Sequence, residues 1–261
     1  MKHLIIGSGI VGEATGVFLE SHEEKICFHD VNGNVLDVLK QKGYPVLYSK
    51  EKLVYDDYDI IWVCTAEWNV GKVLEELDGK AAVGSRIIVR STTSPGEMEV
   101  FSGKYKGFVF AHVPEFLKAK TYIEDVFNPD RIVVGVSDLS FGGFLKDFFC
   151  VKYPGKPVLV VSFTESELIK LSSNCWLATQ ISYWNEILGI CKRFGVDPQM
   201  VANGCILDSR ISSYGTKMID EPFGGFCLPK DMEQMKNTFE RKKMTSEFLK
   251  MIANINSKRR R

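Results

Sequence analysis

No stretch of this 261-residue sequence approaches the ~18 consecutive apolar residues of a membrane span. The opening segment, MKHLIIGSG, is too short in apolar residues for a secretory signal. An excess of either charge is missing as well: 33 Lys and Arg balance 33 Asp and Glu. A neutral chain has no broad field with which to capture nucleic acid or an anionic membrane, so neither is expected as a partner. The only basic run is the terminal Lys258, Arg259, Arg260 and Arg261, expected to be a solvated tail. Pairs of the form Cys-x-x-Cys do not occur. The seven cysteines (Cys27, Cys64, Cys150, Cys175, Cys191, Cys205 and Cys227) are odd in number, and several sit in apolar runs. That pattern argues for reduced thiols, no metal site and a soluble, cytoplasmic protein. Internal repeats and low-complexity segments are absent too, which removes solenoids and disordered arrays.

What is present is an ordinary globular composition, 45% apolar and 25% charged, long enough for one large domain or two small ones. Apolar runs at 3–6, 25–29, 59–64, 86–90, 107–111 and 131–136 read as buried strands, with residues 45–48 extended. Helical patterns at 13–20, 34–42 and 69–77 fall between them. Such alternation, with unbroken apolar strands, predicts an α/β fold: a mostly parallel sheet covered by helices on both faces. It lasts to about residue 162. One long helical pattern then runs from Thr164 to Phe194, with a capped start at Thr164–Glu167 and a stop at Gly195. Residues 198–205 and 229–253 also read as helices. The expected division is a dinucleotide-binding domain over 1–162 and an all-α segment over 163–261.

Gly7, Gly9 and Gly12 follow the first strand and open the first helix. Glycines at this spacing permit a tight turn, a close backbone approach to a pyrophosphate, and close helix–strand packing. The helix N-terminus presents unpaired N–H groups to phosphate. Asp30 ends the next strand, where a carboxylate bonds ribose hydroxyls and repels a 2′-phosphate, so NAD is expected rather than NADP.

Lys170 and Asn174 lie four apart on one face of the long helix and can together hold an oxyanion. Taken alone, such a pair more often marks a solvated helix face. The run Gly224-Gly225-Phe226-Cys227-Leu228-Pro229-Lys230-Asp231 is more distinctive. Pro229 suits a first helical turn, which puts Cys227 at a helix N-terminus that favours its thiolate. Asp231, one turn on, can handle protons.

Five stretches in this order resemble the UDP-glucose/GDP-mannose dehydrogenase family over nearly the whole chain: GSGIVG with Asp30; Arg90-Ser91-Thr92; Pro114-Glu115-Phe116-Leu117 with Asn128-Pro129-Asp130-Arg131; Glu167 to Lys170 through Asn174 to Asn185-Glu186; and Leu207 to Ile211 leading to the Cys227 motif. The resemblance implies two-step, NAD-dependent oxidation of the primary alcohol of a nucleotide sugar, with UDP-glucose the first choice. Cys227 would form a thiohemiacetal and then a thioester. Lys170 and Asn174 would hold the oxyanion, Asp231 and Thr92 would manage water and protons, and Glu115 would assist hydrolysis. Gly7, Gly9, Ile10, Val11, Gly12, Asp30, Thr65 and Thr92 would contact NAD. Glu115, Phe116, Leu117, Lys170, Asn174, Gly224 and Gly225 would contact substrate, and Arg210 the substrate of a partner subunit. The 164–194 helix would form a homodimer.

The chain departs from the family pattern at four places. Ala119 replaces a second glutamate, Val113 the asparagine before Pro114, and Asn34 a basic residue beyond Asp30. The sequence also stops where the family continues into a further α/β domain that covers the nucleotide. A piece of a longer protein, a short enzyme completed by a partner subunit, and a degenerate relative all fit that ending. Two other functions stay open: a one-step dehydrogenase of the β-hydroxyacid type, which needs no Cys227, and a non-catalytic NAD-binding module.

Overall fold

A computed structural model describes residues 1–48 and 53–259. The end of the basic tail, at Arg260 and Arg261, lies outside the described residues. The chain divides into two compact units, Met1–Lys170 and Leu171–Arg261.

The first unit is a single eight-stranded sheet. Its strands are β1 (Lys2–Ile6), β2 (Lys25–Asp30), β3 (Val46–Tyr48), β4 (Ile60–Val63), β5 (Arg86–Val89), β6 (Val109–His112), β7 (Ile132–Val136) and β8 (Val158–Val161). They lie in the order β3-β2-β1-β4-β5-β6-β7-β8. Every pairing is parallel except β6 with β7, where Ala111 meets Val136 antiparallel. Period-two alternation divides the apolar side chains between two cores. Ile5, Phe28, Ile60, Trp62 and Ile88 face one way, and Leu4, Ile6, Ile61, Val63, Ile87 and Val89 the other. Helices α1 (Ile10–Ser21), α2 (Gly33–Gln41), α5 (Tyr122–Phe127) and α6 (Leu139–Lys152) supply the first core with Phe18, Leu19, Leu36, Val126, Leu145 and Phe149. Helices α3 (Val70–Leu77) and α4 (Glu97–Lys104) supply the second with Leu74, Leu77 and Met98. The expected mostly parallel sheet, covered on both faces, is therefore what forms.

Helix α7 (Phe163–Phe194) begins in this unit. Its cap lies earlier than Thr164. The Glu165 amide donates to Ser162 Oγ (3.3 Å) while Glu165 Oε2 accepts from the Ser162 amide (2.8 Å), a reciprocal capping box.

The second unit comprises α7 from Leu171 onward, α8 (Pro198–Cys205), α9 (Cys227–Arg241) and α10 (Glu247–Arg259). Leu171, Ala178, Ile181, Phe223, Met232, Met235 and Ile252 form its core. The single helix expected over 229–253 is in fact two. Lys243 takes φ 56°, and the Met244 amide donates to Phe239 O at 2.9 Å, which ends α9. A left-handed residue normally signals this stop as glycine or asparagine; a lysine gave no such warning.

Candidate active site

The strand order reverses between β1 and β4, so the crevice beyond their carboxyl ends is where this fold takes a ligand. A cavity of about 480 Å³ opens there, lined among others by Gly7, Gly9, Asp30, Val31, Thr65 and Lys72. Gly7 has φ 89°, and a Cβ on it would stand 2.8 Å from the Cys64 and Thr65 backbone. A Cβ on Gly12 would stand 1.9 Å from the Gly7 carbonyl oxygen, so this glycine serves helix–strand packing. At Gly9 a Cβ would meet no protein atom within 4 Å: the space beside it belongs to the cavity. The Asp30 carboxylate accepts from the Ser8 amide (2.7 Å) and the Asn32 amide (2.8 Å), which aims it at the rim. A dinucleotide fits this set: open backbone at Gly9, amides at the start of α1 for the pyrophosphate, and an anchored carboxylate for the ribose. Ile10 is half exposed at the start of α1, while Val11 packs on the first core.

Two loops at the same edge of the sheet carry the next residues. The first follows β5. Ser91 Oγ donates to Thr65 O (2.6 Å), tying this loop to the cofactor cavity, and Thr92 beside it is buried. The second follows β6 and bears Glu115, Phe116 and Leu117. These line a separate cavity of about 290 Å³ together with Arg90, Asn128, Arg131 and Tyr153. The Arg131 guanidinium lies over the Phe116 ring at 4.1 Å.

Lys170 and Glu115, 55 residues apart, form a buried ion pair. Lys170 Nζ donates to Glu115 Oε1 (2.9 Å) and to the Glu115 carbonyl (2.6 Å). Burial pushes the Glu115 acid upward, but the Lys170 charge and hydrogen bond, with the Leu117 amide, outweigh it and hold the carboxyl below its usual range. Two of the three ammonium donors are thus committed, and the Phe116 ring lies 5.3 Å from the same Nζ.

In the second unit Cys227 is the first residue of α9 and is exposed. Gly225, just before it, has φ 71° and open space at its Cβ position. Asp231 lies one turn on, wholly buried. Its Oδ2 accepts from Asn174 Nδ2 (2.5 Å), and its Oδ1 sits 2.8 Å from Lys230 Nζ. Asn174 therefore orients the carboxylate and keeps a second amide hydrogen for a ligand. Cys175 and Cys64 are different in kind: burial pushes their thiols up to about 12 and about 11. Arg210 is exposed and paired with Asp208 at 2.6 Å.

Sequence reading passed over three groups. His112 is buried between Ser166 Oγ (2.7 Å) and the Ser91 carbonyl (3.3 Å). Glu167 stands in the sequence only as a letter of the α7 motif, and both its oxygens accept backbone amides. Lys230, also seen only as a motif letter, pairs with Asp231. A polar residue inside an apolar helix face, as at 166 and 167, was the available signal.

A mostly parallel sheet, a switch-point cavity and an anchored carboxylate at its rim are the features of a dinucleotide-binding dehydrogenase fold. The model of the UDP-glucose/GDP-mannose dehydrogenase family NAD binding domain matches residues 58–150, and that of the family's central domain matches residues 164–258. The UDP-glucose 6-dehydrogenase of Streptococcus pneumoniae is 30% identical, over 92% of this chain and 69% of its own length. That of Rickettsia typhi is 29% identical over 99% of this chain and 67% of its own. The solved UDP-glucose dehydrogenase of Pyrobaculum islandicum superposes with a TM-score of 0.85 at 25% identity, covering 98% of this chain and 68% of that one. The chain belongs to the UDP-glucose/GDP-mannose dehydrogenase family, and its cofactor is NAD. It spans about two thirds of the length of these relatives. No helix among the described residues is long and apolar enough to cross a membrane.

Proposed function

We propose that this chain oxidises the primary alcohol of a nucleotide sugar, UDP-glucose in the first instance, to the carboxylate through a covalent intermediate on Cys227. The arrangement that carries the reading is an exposed cysteine at a helix N-terminus with a buried carboxylate one turn on, itself oriented by Asn174. A dehydrogenase making a single hydride transfer has no use for such a thiol.

NAD, when bound, supplies the acceptor for two hydrides. Asp231, directly or through a water that Thr92 helps position, takes the hydroxyl proton in the first oxidation. The Cys227 sulfur then adds to the aldehyde carbon, and the resulting oxyanion is held by Lys170 and Asn174. Loss of the second hydride leaves a thioester. Water, assisted by Glu115, adds to it; the carbon–sulfur bond breaks, releasing the carboxylate and the Cys227 thiolate. Phe116, Leu117, Gly224 and Gly225 shape the sugar site, and the exposed Arg210 serves a partner subunit's substrate in a homodimer built on α7. We assign residues 1–162 to the NAD-binding domain and 163–261 to the helical domain. The odd cysteine count suits a reducing compartment such as the cytoplasm.

The test is an endpoint count with limiting UDP-glucose. Two NADH per sugar over many turnovers is the expected result. Cys227→Ser should lose steady turnover by roughly a thousandfold while binding NAD as before. One NADH per sugar, or turnover untouched by Cys227→Ser, would sink the covalent route. Bound NAD without any reduction by UDP-glucose or GDP-mannose would leave a binding module.

A further inference from the structure

Glu167 and Ser166 sit in the first turn of α7, one turn before Lys170, and the chemistry above uses neither. Both are fully buried. Glu167 Oε2 accepts from the Gly96 amide (2.6 Å) and Oε1 from the Met98 amide (2.9 Å), across 71 and 69 residues of chain. These amides belong to the start of α4, whose own N-cap residue, Gly96, has no side chain to cap it. A carboxylate at a helix start satisfies orphan donors and meets the positive end of the dipole. Here the cap comes from another helix. The same turn of α7 grips the loop a second time: Ser166 Oγ lies 2.7 Å from His112 Nδ1, and His112 Nε2 lies 3.3 Å from the Ser91 carbonyl. The loop thus fixed, Ser91 to Gly96, carries Thr92. One turn on, Lys170 grips the backbone and side chain of Glu115. Three positions of one helix therefore hold both loops.

We propose that Glu167 is a positioning residue: its carboxylate, together with Ser166 acting through His112, registers the Thr92 loop against the helix that bears Lys170. The proposal rests on the reading above for its catalytic consequence, though not for the clamp itself. Glu167→Gln keeps the volume but turns an N–H toward one of the two amides, so one of the two backbone contacts is lost. A misplacement of about 1 Å near a reacting centre costs up to about 100-fold in rate.

The experiment measures three things on Glu167→Gln: amide exchange at Gly96 and Met98, NAD affinity by direct titration, and kcat and KM with UDP-glucose. Faster exchange at both amides, kcat lowered about 10- to 100-fold, and NAD affinity and KM within about threefold of the parent are expected. Unchanged exchange would overturn the clamp. Faster exchange with unchanged kcat would reduce Glu167 to a structural cap and overturn the positioning role. Should Glu167→Gln fail to fold, Ser166→Ala decides: it should lower kcat several-fold at constant KM, and an unchanged kcat would overturn the proposal. If the parent protein turns over no nucleotide sugar, the functional reading falls, and exchange alone decides the clamp.

Discussion

At the scale of single residues, the glycines of the first turn make separable predictions. Gly9 borders open cavity and Gly12 borders the Gly7 carbonyl. Gly9→Ala should leave thermal stability within about 0.5 kcal/mol of the parent, since the methyl meets no protein atom, yet weaken NAD at least about tenfold by occupying the approach to the pyrophosphate. Gly12→Ala should destabilise the first unit by several kcal/mol, because a 1.9 Å contact with backbone cannot be relieved by a rotamer change. Thermal melts with and without NAD, run on both variants, check the pair. Equal destabilisation by the two would contradict the geometry. This asymmetry was hidden in the sequence, where the glycines are interchangeable letters of one motif. Asp30 was legible because its place at a strand end follows from local pattern. The Lys170–Glu115 pair was not: each was marked for a role, but their contact across 55 residues is a product of the fold.

At the scale of elements, α7 is the organising piece. Its first turns hold the loops of the sheet unit, and its later turns build the second unit's core through Leu171, Ala178 and Ile181. The opposite face of those later turns is apolar and exposed. Trp176, Tyr183 and Ile190 recur every seven residues, at 60%, 55% and 48% exposure. A heptad stripe of large apolar side chains is the pattern of a helix seam. We therefore expect a homodimer in solution through this stripe. Tyr183→Arg should convert it to a monomer by light scattering without lowering the melting temperature of the first unit. A parent protein already monomeric at micromolar concentration would refute the seam. Helix α7 was legible because a 32-residue pattern leaves little ambiguity. Its true cap was not, since Ser162–Glu165 and Thr164–Glu167 offer the same signature two residues apart. The break between α9 and α10 was invisible for a different reason. It depends on a lysine adopting a left-handed conformation that its residue type does not announce.

At the scale of the whole molecule, the buried histidines set the acid limit of the sheet unit. His3 and His112 both lie at full burial on its strands. For His3, burial outweighs the favourable Glu24 carboxylate and brings the ring down to about 4. For His112, burial dominates, the Ser91 carbonyl opposes it, and the Lys170 and Arg90 charges add to it, giving about 3. Both folded values lie below the unfolded value of about 6.5, so the unfolded chain binds more protons throughout the interval between them. Stability is then fully present above pH 6.5 and declines as pH falls toward 4. The carboxylates whose acids are depressed contribute later. Glu24, which burial would raise but whose bonds to Lys152 and the N-terminus bring it down to about 2, gives up its share only below about pH 4.5. Between pH 6.5 and 5 the two histidines dominate, and Glu167, whose acid burial raises, acts in the opposite direction. Together the two histidines should remove roughly 3 kcal/mol across this interval, readable as a fall in the urea midpoint at constant slope. A midpoint that holds flat to pH 5 would mean that these rings carry protons in the folded sheet. The His112 link between the Ser91 carbonyl and α7 would then be an imidazolium contact rather than a neutral one.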